Sequence, residues 1–135
     1  MTFARLFCTA AAALFFCLAG LTESEAGALK ITEMAVTTKI VKGNPIDAVR
    51  RISSTSVKAL YCFTRVSAPV DTDTTIKHIW YLNGEVVGEF EKPVKGAHWR
   101  TYSKKPVEKG VSGEWRCEAK DSDGNLLKSV TFRMN

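Results

Sequence analysis

The fold is decided by residues 76–90, which read IKHIWYLNGEVVGEF. Two runs rich in apolar and β-branched residues flank the dipeptide Asn83-Gly84, which is typical of a two-residue β-hairpin turn. Counting outward from this turn places His78 opposite Glu89. We therefore predict an antiparallel hairpin in which His78 is a partly exposed member of a cross-strand pair, and we assign it no catalytic role.

The sequence on either side of this hairpin predicts further strands. Apolar and polar residues alternate, or short apolar runs occur, near residues 34–40, 57–66, 98–103, 114–120 and 129–134. Turn residues separate these segments at intervals of about 8 to 15 positions, as in sandwich folds. The strand order within residues 41–57 stays open. Together with the hairpin, these segments predict an all-β fold, an antiparallel β-sandwich of about seven strands.

Three residues indicate which kind of sandwich this is. Cys62, Trp80 and Cys117 follow the cysteine–tryptophan–cysteine order of an immunoglobulin-like core. Trp115 stands two positions before the second cysteine, where that fold often has a tyrosine. We therefore predict an immunoglobulin-like sandwich whose two layers close over Trp80 and Trp115.

The two cysteines of the predicted domain are a candidate disulfide. In an oxidising compartment, a bridge between Cys62 and Cys117 would enclose about 55 residues and stabilise the fold by about 4 kcal/mol. The alternative is a pair of buried free thiols. We expect no metal site, because the sequence has no Cys-x-x-Cys spacing and only two histidines.

The N-terminal segment has the three parts of a secretory signal peptide. Arg5 precedes an apolar run over residues 6–21, and Ser24-Glu25-Ala26 supplies small residues at a cleavage position. We expect residues 1–26 to be a signal helix that is cleaved, and residues 27–135 to form a single exported domain, periplasmic or extracellular, without a membrane span. Retention of the apolar run as an anchor is the alternative, although about 16 residues are short for a bilayer that needs about 20.

Composition and motifs favour a binding domain over an enzyme. The chain has 135 residues, is 45% hydrophobic and 24% charged, and carries a net charge of +5. These values are typical of one globular domain and argue against disorder or a multidomain enzyme. Neither histidine stands beside a nucleophile motif, and no glycine-rich phosphate loop is present. Residues 121–125 resemble the start of a calcium loop but lack its distal glutamate, so we predict a turn there. We expect a non-catalytic protein without a cofactor.

Five short motifs resemble an uncharacterised bacterial family, domain of unknown function 2914. They are YCFT at 61–64, WYLNG at 80–84, WRTYS at 99–103, GEW at 113–115 and DSDGNLL at 121–127. The resemblance covers about residues 32–134 and implies a small β-rich bacterial domain. It implies no reaction and no catalytic residue. Members of the family usually lack a cysteine at the position of Cys117, so the resemblance does not imply the disulfide.

A basic stretch supplies the candidate binding site. Residues 92–109 contain six lysines and arginines but a single acid, with aromatic residues between them. Cations beside aromatic rings suit an anionic or sugar-containing ligand. For an exported domain, an envelope polysaccharide fits this chemistry and compartment better than nucleic acid does. The predicted site residues are His98, Arg100, Tyr102, Lys104 and Lys105.

Two other interpretations stay open at this point. The lysines of a basic edge strand can simply prevent one sheet from pairing with another. Alternatively, the domain is a protein-interaction module that docks a larger envelope protein through a sheet edge or through the apolar face of Tyr61 and Phe63. Binding to a charged polymer should weaken steeply with salt, whereas apolar docking should not.

Overall fold

A computed structural model describes residues 28–135, and β-strands with their connecting turns and loops make up this part of the chain. The strands are β1 (Lys30–Thr37), β2 (Ile40–Val41), β3 (Asn44–Pro45), β4 (Arg51–Ile52), β5 (Ala59–Ser67), β6 (Asp73–Leu82), β7 (Glu85–Lys95), β8 (His98–Pro106), β9 (Gly113–Asp121) and β10 (Leu126–Met134). Seven of them have eight or more residues, in agreement with the predicted number. The predicted signal peptide, residues 1–26, lies outside the described residues. Within residues 28–135, no helix is long and apolar enough to cross a membrane.

The strands form two sheets whose inner faces pack against each other. One sheet has three strands in the order β1-β5-β8, and the other has five in the order β4-β10-β9-β6-β7. All neighbours are antiparallel except the short β4, which pairs in parallel with β10. β2 and β3 form a separate hairpin. The predicted all-β sandwich is confirmed, and the stretch whose strand order was open contains the end of β2 and all of β3 and β4.

Three aromatic side chains occupy the centre of the core. The rings of Trp115 and Phe132 stack at a centroid distance of 5.7 Å, and the ring of Trp80 meets both edge-on at 6.3 and 6.5 Å. All three side chains are buried. They come from β6, β9 and β10, and the three-stranded sheet covers them with apolar residues such as Leu60 and Val66. The prediction that the layers close over Trp80 and Trp115 therefore holds.

The predicted disulfide is not present in the structure. Cys62 and Cys117 are free thiols, and both are completely buried. Burial, together with the neighbouring Cys62 thiol, raises the pKa of Cys117 well above its usual value. Because the thiolate is the form that attacks to make a disulfide, this shift slows formation of the bond. The alternative of packed free thiols is the one that the structure shows.

The position predicted for His78 is wrong in two respects. A β-bulge between Trp80 and Tyr81 shifts the register of the hairpin, so that His78 pairs with Phe90 instead of Glu89. The side chain is also completely buried rather than partly exposed. It precedes Trp80 by two residues and therefore lies on the same inward face of the strand.

The buried imidazole of His78 has polar partners on both sides. Its Nε2 lies 3.0 Å from Thr64 Oγ1, and its Nδ1 lies 2.9 Å from Ser103 Oγ. Trp80 Nε1 also donates a hydrogen bond to Ser103 Oγ at 3.1 Å. Burial, together with the charge of Lys92, lowers the pKa of His78 to about 4. The imidazole is therefore neutral in the folded protein at neutral pH and joins the two sheets through hydrogen bonds.

This shift predicts that acid destabilises the domain well before its carboxylates titrate. In the unfolded chain His78 has its ordinary pKa of 6.5, whereas in the folded chain its pKa is about 4. The free energy of unfolding should therefore fall by about 3 kcal/mol as the pH falls from 6.5 to 4. Urea unfolding across this window measures the loss. His78→Gln should remove most of the pH dependence, whereas His98→Gln, at the exposed histidine, should keep it. An unchanged pH dependence in His78→Gln would contradict the assignment.

Candidate functional site

Strand β8 forms one edge of the three-stranded sheet and carries the predicted site residues. Four of them face outward and are exposed, namely His98, Arg100, Tyr102 and Lys104. Lys105 faces the opposite side, where it is half-buried and lies against Gly88 of β7. Successive residues of a strand point to opposite faces, so the structure groups four of the five predicted residues and separates Lys105 from them.

The neighbouring strand adds Arg65, which the sequence analysis missed. Arg65 of β5 stands directly opposite Arg100 of β8 in the antiparallel register. Side chains paired in this way lie on one face of the sheet, with Cβ atoms about 5 Å apart. The alternation along β5 already implies that Arg65 faces outward beside Phe63. Its pairing with Arg100 depends on the register between two strands that are far apart in the sequence.

The short β2–β3 hairpin brings a third residue to this pair. Asn44 Oδ1 accepts a hydrogen bond from Arg65 Nη2 at 3.3 Å and another from Arg100 Nη1 at 2.9 Å. The two donor nitrogens share one acceptor and therefore lie within about 6 Å of each other. The hairpin turn consists of Lys42 and Gly43, which both have positive φ, at 51° and 76°. The guanidinium of Arg100 lies close to Gly43.

Asp47 anchors the base of this hairpin. Its carboxylate accepts hydrogen bonds from Thr37 Oγ1 at 2.6 Å, from the backbone N–H of Thr38 at 2.8 Å and from Thr38 Oγ1 at 2.6 Å. Partial burial raises the pKa of Asp47, but these hydrogen bonds outweigh it and leave the pKa below its usual 3.8. The anchor ties the hairpin that carries Asn44 to the end of β1.

The arginine pair carries more positive charge than its neighbours neutralise. Glu33 Oε2 lies 3.3 Å from Arg65 Nε, and Asn44 contributes a neutral amide oxygen. Arg100 has no ion-pair partner among the described residues. Like charges directly opposite each other on a sheet repel, by an energy of about 1 kcal/mol at this separation in a solvated site. The arginine pair therefore keeps one positive charge that no neighbouring carboxylate neutralises.

An open groove of about 430 Å³ lies beside the pair. Its lining consists of Thr32, Arg65, Val66, Ser67, His98, Trp99 and Arg100. No carboxylate lines this groove. A groove of similar volume on the outer face of the five-stranded sheet differs in this respect. There Lys77 and Lys120 also stand directly opposite each other, but Glu89, Glu91 and Asp121 line the same groove.

Aromatic residues continue the outer face beyond the arginines. Tyr102 is 44% exposed, and its ring meets that of Tyr61 edge-on at a centroid distance of 5.9 Å. Phe63, by contrast, has no exposed surface, and the guanidinium of Arg65 lies 5.8 Å from the centre of its ring. Phe63 therefore adds no accessible surface to the apolar face of Tyr61 and Phe63 that we considered for protein docking.

Two groups of residues that resemble a catalytic pair and a metal-binding loop have structural roles instead. Ser103 and His78 are hydrogen-bonded as in a nucleophile–base pair, but neither has any exposed surface that a substrate could reach. Asp121 Oδ1 accepts hydrogen bonds from the backbone N–H groups of Asp123 and Asn125, which accounts for the predicted turn. Within the described part of the chain, no group of three or more metal-ligating side chains is placed to hold an ion.

Comparison with solved structures identifies the type of sandwich. An immunoglobulin-like protein from Pseudomonas aeruginosa is 14% identical, with a TM-score of 0.54 over 82% of this chain and 98% of that chain. The alkylpurine DNA glycosylase AlkC from Pseudomonas fluorescens, solved bound to DNA containing an abasic site analogue, is 15% identical. Its TM-score is 0.52 over 83% of this chain but only 32% of that chain. These similarities show an immunoglobulin-like fold.

Comparison with protein families confirms the resemblance noted in the sequence. A search of curated protein sequences finds no match. The model of the family described as "Protein of unknown function (DUF2914)" matches residues 73–134, from β6 to β10. The matched segment is shorter than the predicted 32–134 and includes Arg100 and Tyr102 but not Arg65. Neither the family description nor the fold assigns a reaction. The match covers the C-terminal part of the chain, just under half of its residues, and is a similarity to a family of proteins of unknown function.

Proposed function

We propose that this protein is a non-catalytic, exported binding domain that recognises an anionic polymer of the bacterial envelope. The outer face of the three-stranded sheet is the binding surface. The observation that carries this proposal is the direct opposition of Arg65 and Arg100 with a single neighbouring carboxylate, Glu33. A bound anion would supply the missing negative charge and accept hydrogen bonds from both guanidinium groups.

The shape of the surface favours a polymer over a small ion. The outward residues of β8 run from His98 to Lys104, a distance of about 20 Å along an extended strand. Tyr102 follows Arg100 on the same face at about 7 Å, so one ligand can contact both side chains. Its exposed ring offers an apolar surface on which a sugar can lie, while the arginines meet the charged group.

Protection of a sheet edge does not account for this surface as a whole. Lys104 and Lys105 of β8 suit an edge strand, because charged side chains discourage pairing with another sheet. Arg65, however, belongs to β5, which is the central strand of its sheet. Its guanidinium is held over the face of the sheet by Glu33 and Asn44, away from the open edge.

The first test removes the arginine pair. Arg65→Gln with Arg100→Gln should lower the affinity for an immobilised anionic polysaccharide about tenfold or more, since charge-assisted hydrogen bonds contribute about 1.5–3 kcal/mol each. Binding of the unmodified protein should also weaken steeply as sodium chloride is added. The folded state should persist in the double variant, because the substitution removes a repulsion, and circular dichroism checks this.

The matched control is Lys77→Gln with Lys120→Gln. It removes the same charge from another like-charge pair, on the outer face of the five-stranded sheet. This control should keep most of the affinity. Equal losses in both double variants would indicate general attraction to the positive net charge and would contradict a site at Arg65 and Arg100. Salt-resistant retention of an envelope protein, independent of the arginines, would instead support the protein-docking alternative.

The second test concerns Tyr102. Tyr102→Ala should weaken binding to an anionic polysaccharide several-fold but should leave binding to inorganic polyphosphate unchanged, because only the polysaccharide presents a sugar ring. Leu126→Ala removes a similarly exposed apolar side chain from β10 and serves as the control. Isothermal titration calorimetry on both ligands measures the effect. An equal loss on both ligands would contradict a sugar-contacting role for Tyr102.

A further inference from the structure

We infer that the group bound at Arg65 and Arg100 is a tetrahedral oxyanion, a phosphate or sulfate ester, and that Asn44 is the positioning residue that sets this preference. This inference rests on the proposed function and adds the chemical class of the ligand. Three observations support the ligand class: the hydrogen bonds that the two guanidinium groups already make, the way in which these groups are held, and the uncharged side chain of Asn44 between them.

The occupied nitrogens define what a ligand can still contact. Arg65 uses its Nε–H for Glu33 and one N–H of Nη2 for Asn44, which leaves both N–H groups of Nη1 and one of Nη2 for a ligand. Arg100 uses one N–H of Nη1 for Asn44, which leaves its Nε–H, both N–H groups of Nη2 and one of Nη1. The remaining donors therefore belong to two different guanidinium groups on adjacent strands, and Ser67 and His98 line the groove beside them.

Donors divided between two groups suit a tetrahedral anion better than a carboxylate. A carboxylate has two oxygens in one plane, and a single arginine saturates it through two parallel hydrogen bonds. A phosphate or sulfate ester has non-bridging oxygens that point in different directions, so it can accept from both guanidinium groups at once. It can also accept from the hydroxyl of Ser67 in the same groove. The second arginine is therefore used fully only when the anion is tetrahedral.

Asn44 holds the two arginines in this arrangement without neutralising them. Its amide oxygen bridges both guanidinium groups, and the anchored hairpin fixes its position through Asp47. An aspartate at this position would make the same two contacts and would supply the negative charge that we assign to the ligand. The amide therefore keeps the pair available for an external anion.

The experiment compares three ligands that share one sugar backbone. Dextrans that carry phosphate, sulfate or carboxymethyl groups at matched charge density are titrated into the unmodified protein at constant ionic strength. We expect the phosphate or the sulfate form to bind about tenfold more tightly than the carboxymethyl form, because only a tetrahedral group engages both arginines. The ester that binds more tightly shows whether the preferred oxyanion is a phosphate or a sulfate.

The variant Asn44→Asp tests the positioning role. It should lose affinity for both esters about tenfold, and inorganic sulfate or phosphate should no longer raise its melting temperature as they raise that of the unmodified protein. Asn83→Asp makes the same chemical change in the β6–β7 turn, where aspartate is also well tolerated, and it should keep the affinity. A lower melting temperature for Asn44→Asp than for the unmodified protein, or an equal loss of affinity in Asn83→Asp, would overturn the role of Asn44.

The outcomes separate this inference from the proposed function. Equal affinity for all three dextrans, abolished by Arg65→Gln with Arg100→Gln, would overturn the oxyanion preference and leave the proposed function standing. Binding that does not depend on the two arginines, or no binding to any of the three dextrans, would overturn both.

Discussion

The alternation of side chains along β5 and β8 determines both the core and the charged outer face of the three-stranded sheet. Every second residue of β5, including Leu60, Cys62 and Val66, enters the core between the sheets. The residues between them must face outward, so Arg65 stands on the open face whatever its charge. The antiparallel register then places Arg100 directly opposite. The register of β5 against β8 therefore determines both the core packing and the charged face. A shift of this register would change both together.

The β2–β3 hairpin holds the guanidinium groups of Arg65 and Arg100 in a defined geometry. Exposed arginine side chains have many rotamers, and ordering them on binding costs conformational entropy. Here Asn44 accepts from both guanidinium groups, and Asp47 fixes the hairpin to the end of β1. Much of the ordering has therefore taken place before a ligand arrives, which favours affinity and selectivity over simple attraction to positive charge.

The sequence predicted the fold well because its signals are local. The Asn83-Gly84 turn, the alternation within each strand and the position of Trp115 before Cys117 all act over a few positions. The errors concern the exact register of a strand pair and the contacts between distant segments. The bulge in the β6–β7 hairpin changed the partner of His78, and the two cysteines approach without bonding. Arg65 was missed for the same reason, because its significance comes from Arg100, 35 positions away in the sequence.

A titration of the protein with inorganic sulfate and phosphate, followed through the arginine Nε–H signals by NMR, tests directly whether Arg65 and Arg100 form an anion site. We expect saturable shifts for Arg65 and Arg100. We expect none for Arg116, whose guanidinium stacks on Tyr81 on the other sheet. Acetate at the same ionic strength should produce smaller shifts. Shifts of equal size at all arginines, or none that saturate at Arg65 and Arg100, would contradict the account.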